Sequence, residues 1–310
     1  MGENDFLLSV VVPCHNEAAN IVEFMAACRA ALQGHRVEYL FVDDGSTDGT
    51  RALLERLHRE DPQVKPVILS RNFGHQQALK AGLDHAAGDC VVSLDGDLQH
   101  PPALIPRLIQ EWQAGHEVVY TVRRDRRTPF IKRATSRLFY AMARRLAAVD
   151  IRPGTADFRL LDRAVVEVLR GCGEQHLFMR GMVVWAGFNQ KAVEYEPAPR
   201  HAGRSSYSVR KMAGLALAGI TSFSIRPLRI ATVLGLCIAT LAALYGCYVL
   251  YAFLFTDRVV AGWTSTTASV LLIGGIQLVM LGVLGEYVGK SFIEVKKRPG
   301  YIIRKKYTDR

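Results

Sequence analysis

The chain has 310 residues, of which 49% are hydrophobic and 22% charged, with a formal net charge of +10. Mean hydropathy is positive in spite of that charge, so the apolar residues are concentrated in one part of the chain, the stretch after Pro227. The basic excess comes without helix-turn-helix, zinc-finger spacing or an aromatic-basic platform, which argues against nucleic-acid binding. The six cysteines form no CxxC pair, which argues against a zinc site and for reduced thiols in a cytosolic setting.

In chain order, LLSVVVP, EYLFVDD, VKPVILS, CVVSLDGD and EVVYTV read as strands, and residues 17–32, 48–59, 74–87 and 103–113 carry helical spacing. This alternation predicts an α/β fold with a Rossmann-like, mainly parallel sheet covered on both faces, and ligands bound beyond the carboxyl ends of the strands. Those exits are acidic: Glu17 after the first strand, Asp43 and Asp44 after the second, Asp95 and Asp97 after the fourth. One acid at a strand end is ordinarily a turn or cap residue, and Asp48, before Gly49 and Thr50, is read that way. Three acidic exits on one edge point to a site.

No GxGxxG follows the first strand and no GxxxxGK[ST] occurs, so a glycine loop does not cradle phosphates here. Asp95 and Asp97, one residue apart, suit a hard divalent cation that keeps open positions for diphosphate oxygens and water. His100 reads as a turn residue rather than a metal ligand, leading into Pro101 and Pro102 at the start of a helix. Further on, the stretch TVRRDRRTPFIKRATSR gathers seven Lys and Arg residues, either a solvated basic face or an attractor of anionic lipid phosphate.

Residues 228–255 contain one charge, Arg229, and residues 265–288 are apolar apart from Gln277, Glu286 and hydroxyls. At about 1.5 Å per residue each run is long enough to cross a hydrocarbon core of roughly 30 Å. Neither lies where a signal peptide would, and the N-terminus opens into a strand pattern, so the first two hundred residues are expected to stay in the cytoplasm. Basic residues flank the pair on the outside, while the connection TDRVVAGW has only Arg258, offset by Asp257. The positive-inside rule then puts both termini in the cytoplasm with a short hairpin across the membrane. Residues 207–223 read as an amphipathic segment on the membrane surface.

VVPCHNE, VDDGSTDGT and LDGDLQHPP resemble the motifs of family-2 glycosyltransferases with the GT-A fold. RNFGHQQALKAGLDHAAGD, TADFRLLDR, FMRGMVVWAGF and ITSFSIRPLR are similar, more narrowly, to the polyprenyl-phosphate glycosyltransferases, bacterial bactoprenol glucosyltransferases above all. The resemblance covers nearly the whole chain. It implies a GT-A domain over residues 1–200, a juxtamembrane loop and amphipathic helix over 201–226, a two-helix transmembrane hairpin over 227–289 and a basic cytoplasmic tail over 290–310. It further implies a bacterial inner-membrane enzyme, a tetramer by analogy, that transfers a hexose with inversion from a nucleotide sugar to a polyprenyl phosphate.

The resemblance also assigns roles. Pro13, His15, Glu17 and Asp44 would line the nucleotide pocket, with His15 where Tyr is common and Asp44 accepting from a base N–H. Asp95, Gly96 and Asp97 match the DxD motif, and Gln99 a position that can complete the shell of a Mg2+ or Mn2+ ion. Arg123 would lie near the phosphates, and Lys132 or Arg133, with Ser136, at the acceptor phosphate. Arg200 matches an Arg of a loop that closes over the donor, although the Lys expected six residues later is Ser206. Asp157 falls where many family members place a base. A phosphate monoester has a second pKa of about 6 and needs little deprotonation, so Asp157 acts as base or as positioning group. The sugar is open: glucose from UDP-glucose first, then mannose from GDP-mannose, N-acetylhexosamines and a modified arabinose. A processive polysaccharide synthase would carry QxxRW and more spans, and a retired non-catalytic scaffold or nucleotide sensor would be expected to have lost Asp95 and Asp97.

Overall fold

The computed structural model describes residues 6–123, 155–175, 177–195, 224–255 and 262–307. The five expected strands form β1 (Leu7–Cys14), β2 (Arg36–Asp43), β3 (Val67–Leu69), β4 (Cys90–Ser93) and β5 (Val118–Arg123). Between them lie α1 (Ile21–Ala31), α2 (Thr50–Glu60), α3 (His75–His85) and α4 (Ile105–Gln113), the last entered through a single 3-10 turn at Pro102–Leu104. There follow β6 (Thr155–Asp162), α5 (Arg163–Gly171), α6 (Met179–Trp185), β7 (Gln190–Tyr195), α7 (Arg226–Phe255), α8 (Trp263–Val295) and β8 (Ile303–Lys306).

All eight strands join one sheet in the order β7-β5-β6-β4-β1-β2-β3-β8, in which only β6 and β8 run against the rest. The sheet is thus mainly parallel, as the alternation predicts. Successive β1 residues serve opposite faces: Leu8, Val10 and Val12 pack with Phe24 and Phe41, whereas Val11 packs with Leu79 and Leu83 of α3. Burial on both faces is what makes such a strand read as a continuous apolar run.

α1 starts at Ile21, four residues later than its periodicity suggests, because the Glu17 carbonyl accepts the N–H groups of Asn20 and Ile21 in a turn of its own. That turn keeps Glu17 at the carboxyl edge of the sheet. Asp48 serves as a turn residue before α2, its carboxylate accepting the N–H groups of Thr50 and Ala18.

α7 and α8 contain the stretches Leu228–Tyr248 and Leu272–Val295, 21 and 24 residues, long and apolar enough to cross a membrane. Leu241, Leu244, Leu278 and Leu281 are more than half exposed, a surface suited to lipid rather than water. The residues after 290 are more than a tail. α8 continues to Val295, Lys297 takes a left-handed φ of 47° at its end, and β8 then pairs antiparallel with the edge strand β3. Tyr301 and Ile303 pack against Val67 and Leu69, and the Tyr301 hydroxyl donates to Asp84 at 2.8 Å. The second apolar helix therefore returns the chain to the sheet it left.

Candidate active site

A cleft of about 570 Å3 opens at the carboxyl edge of β1, β2 and β4. Pro13, His15, Glu17, Asp44, Asp95, Gly96 and Asp97, each expected from the sequence, all line it. Parallel strands explain the convergence: Cys14 is paired with Asp43 across β1 and β2, and the chain beyond β4 emerges beside them.

Asp157 reaches the same place by the opposite route. β6 is antiparallel to β4 with Ser93 opposite Arg159, so the start of β6 lies beside the exit of β4, and the Ser93 hydroxyl donates to the Asp157 carbonyl at 2.7 Å. The Asp157 carboxylate accepts a fork from Arg180, Nε and Nη2 each at 2.8 Å, and lies 3.3 Å from Nη2 of Arg159. Burial alone would raise this carboxyl, but the Arg180 hydrogen bonds and charge, with Arg159 and His75, hold it well below the usual carboxylate range. Burial in turn lowers the Arg159 guanidinium to about 10, with Asp157 opposing the shift. A carboxylate so held is a weak base.

Asp95 stands between two imidazoles, His100 Nε2 at 3.3 Å and His75 Nε2 at 3.6 Å. His75 also approaches Asp157 at 3.8 Å, and His100 is steadied through Nδ1 by the Tyr195 hydroxyl at 2.8 Å. Burial pushes Asp95 up, and the His100 hydrogen bond and the two imidazole charges bring the net shift below the ordinary value. Asp97 accepts the Gln99 backbone N–H at 3.1 Å and the Gln99 side-chain amide as well, in a turn that places Leu98 at φ 59°. Gln99 thus holds the carboxylate of Asp97. A Cβ on Gly96 would meet Val12 at 3.4 Å and Cys14 at 3.7 Å, ordinary contact, so the position takes a small residue and not glycine alone.

At the exit of β2, both Asp44 oxygens accept backbone N–H groups, Phe73 at 2.7 Å and Gly74 at 2.9 Å. This fixes the loop before α3, which brings Asn72 and Gly74 into the cleft wall. His15 lies against the Asp44 carbonyl through Nδ1 at 2.9 Å, with the Asn72 amide 3.2 Å from the same nitrogen. Burial raises the Glu17 carboxyl; the Asn20 amide opposes it, and the neighbouring charges of Asp97 and Asp95 add to it.

The cleft also takes in residues to which the motifs assign no role, among them Asn72, His75, Phe178 and Arg180. His75 lies in RNFGHQQ and Arg180 in FMRGMVVW, segments that were marked by resemblance and given no chemistry. The signal for Arg180 was a lone charge in an apolar run. Arg123 closes β5, whereas Lys132, Arg133, Ser136 and Arg200 lie outside the described residues. Among the described residues no group of three or more His, Cys, Asp or Glu side chains is gathered in a form that would hold a metal unaided.

Residues 9–170 match the model of glycosyl transferase family 2, and residues 226–291 that of the GtrB C-terminal hairpin. The SfII prophage-derived bactoprenol glucosyl transferase of Shigella flexneri is 44% identical over 303 residues, 97% of this chain and 98% of its own. The prophage bactoprenol glucosyl transferase homolog of Escherichia coli K12 is 43% identical over 301 residues, 96% and 98% of the two chains. A mannosyltransferase from Pyrobaculum calidifontis, solved in complex with GDP-Man and Mn2+, superposes with a TM-score of 0.51 at 19% identity over 93% of this chain and 86% of its own, a likeness of fold. Matched over residues 9–170 by that family model and 43–44% identical to these relatives over nearly its whole length, the chain belongs to glycosyl transferase family 2.

Proposed function

We propose that the protein transfers glucose from UDP-glucose to a polyprenyl phosphate, of the bactoprenol type, at the cytoplasmic face of a bacterial inner membrane, with inversion at the anomeric carbon. The observation that carries this reading is an acidic cleft, with Asp95 and Asp97 at the sheet edge, on a chain that ends in two helices long and apolar enough to cross a membrane. The near full-length likeness to bactoprenol glucosyl transferases supports the choice of sugar and acceptor.

Pro13, His15 and Asn72 would bound the nucleoside, with Asp44 fixing the loop that carries Asn72. Among the described residues the cleft lining carries Glu17, Asp44, Asp95 and Asp97 against the guanidinium of Arg180, and added positive charge there would favour an anionic diphosphate. Asp95 and Asp97 offer hard oxygen donors for Mg2+ or Mn2+, with Gln99 orienting Asp97 and the remaining ligands coming from diphosphate and water. Such an ion supplies Lewis-acid stabilisation of the departing nucleoside diphosphate.

Asp157 acts in this reading as a positioning carboxylate. Its fork fixes Arg180 at the cleft wall, where the guanidinium can face phosphate oxygens of donor or acceptor. The acceptor phosphate attacks without a base because it is already largely dianionic at neutral pH. Arg123, Lys132 or Arg133, and Ser136 would receive the acceptor phosphate, and Arg200 would close over the donor. Positioning and charge neutralisation then supply most of the rate enhancement.

The test is to incubate membranes containing the full chain with an equimolar mixture of UDP-glucose, GDP-mannose and UDP-N-acetylhexosamines, with and without polyprenyl phosphate, and to identify the lipid product by mass spectrometry. A single polyprenyl-phosphate hexose derived from UDP-glucose is expected. A different sugar on the lipid overturns the donor assignment, long polymer points to a synthase, and absence of any lipid product overturns the acceptor.

A further inference from the structure

Arg180 sits at the first turn of α6, and the described residues that lead to it, 172–175 and 177–178, lie outside any helix or strand. It is gripped from two sides. From the sheet side, two adjacent glutamines at the start of α3 reach it: the Gln76 Oε1 accepts the Met179 N–H at 3.0 Å, and the Gln77 amide donates to the Gln175 carbonyl at 2.9 Å. From the membrane side, Glu294, in the last turn of α8, accepts the Gln175 N–H at 2.9 Å, and the Gln175 side-chain amide donates to the Arg298 carbonyl.

Gln77 is buried, an uncommon place for a glutamine, and its amide lies where a Cβ on Gly300 would overlap it. The two peptide units that flank the Cα of Gln175 are therefore held separately, the N–H of one by the membrane helix and the carbonyl of the next by α3. Gln175 to Arg180 is five residues, and Arg180 is the group that forks Asp157. Nothing in these bonds is needed to build the sheet, and all of them converge on one loop.

We propose that Glu294 and Gln77 are positioning residues for Arg180, so that the cytoplasmic end of the second membrane helix sets the geometry of the reaction cleft as well as anchoring it. The inference rests on the assignment of Arg180 to the transfer reaction. Loss of either bond frees the backbone at Gln175, loosens the loop and displaces the guanidinium. A displacement of the order of 1 Å costs up to about 10²-fold in rate when the displaced group aligns reacting atoms. Because His15, Asn72 and Asp44 lie on other elements, the nucleoside end of the cleft is unaffected.

The experiment compares full-length wild type, Glu294→Ala, Glu294→Gln, Gln77→Met and Gly300→Ala in membranes, reading kcat, donor KM and hydrogen exchange of peptides spanning residues 172–185. Glu294→Ala, Gln77→Met and Gly300→Ala should each lower kcat about tenfold or more, leave donor KM within about twofold, and speed exchange in 172–185 selectively. Glu294→Gln keeps an acceptor oxygen and should restore wild-type kcat and exchange. Wild-type kcat in Glu294→Ala and Gln77→Met overturns the inference, as does a Glu294→Gln variant no better than Glu294→Ala. So does a loss spread evenly over all peptides, which would mark a merely structural role. If wild type transfers no sugar, the assignment of the reaction fails instead, and the exchange measurement still decides whether α8 orders the loop.

Discussion

Replacing the two partners of the fork at the cleft wall should have unequal consequences, and the structure says which way. Asp157 faces two guanidiniums, Arg180, with a side chain 33% exposed, and Arg159, with one 2% exposed. Asp157→Ala leaves the buried Arg159 guanidinium without a counter-charge among the described residues, held by the Ala156 carbonyl and with no described partner for its Nε. Breaking a buried pair in this way costs about 3–5 kcal/mol. Arg180→Met leaves Asp157 paired with Arg159 and removes two charge-assisted hydrogen bonds at a partly solvated site, a loss of about 1–2 kcal/mol after screening. Activity should show the reverse economy: Arg180→Met stays folded yet loses about 10²-fold in transfer, the scale for removing one positioned donor from a developing charge. Thermal unfolding of the full-length protein in detergent, run beside the transfer assay, separates the two. An Arg180→Met protein less stable than Asp157→Ala, or one with near-normal transfer, would refute the assignment of stability to the buried Arg159 and of chemistry to the exposed face of Arg180.

Asp97→Ala should abolish transfer while leaving membrane insertion intact, checked by carbonate extraction beside the product assay; near-normal transfer would place the metal elsewhere. Gly45→Ala should weaken donor binding, because Gly45 has φ +66° and a Cβ there would sit 2.5 Å from the backbone of Arg71 and Asn72, the loop proposed to bound the nucleoside; donor KM should rise more than kcat falls. The acid limb of the pH profile should follow the acceptor phosphate near its second pKa of about 6 and should not move in Asp157→Asn, since the fork keeps Asp157 ionised through that range. For the same reason the stability that Asp157 contributes is complete above its unfolded pKa of about 3.9 and is lost only as pH falls below it toward the lower folded value, which an acid titration followed by fluorescence would record.

The sequence made one half of the sheet easy to see and concealed the other, for a physical reason. β1, β2 and β4 are buried on both faces, so they read as apolar runs with acids at their exits, and those exits are the cleft. β6 carries Asp157 and Arg159 inside it, charges that compensate each other only in three dimensions and break the hydrophobic pattern in one. β7 is an edge strand with a half-polar face, and β8 reads IRKK, with no apolar alternation; tertiary packing of Tyr301 and Ile303 sets its place. His75 and Arg180 were missed because neither stands beside another acid or base along the chain. Antiparallel β6, placed next to β4, is what brings Asp157 and its partner Arg180 to Asp95.

Among the described residues, the carboxylates in and around the cleft differ in how far their neighbours neutralise them. Asp44 has two backbone N–H groups, Asp48 two more, and Asp157 two guanidiniums. Asp97 has the amide donors of Gln99, Asp95 has imidazoles at 3.3 Å and beyond, and Glu17 has the Asn20 amide. The upward displacement of the Glu17 carboxyl, driven by burial and then by the charges of Asp97 and Asp95, registers the negative potential left over at that corner. That corner is also where the exits of β1 and β4 meet. A divalent cation placed there would relieve the repulsion among the three acids and at the same time attract a diphosphate, so the mutual repulsion of the acids and an affinity for a metal-bound diphosphate have the same source.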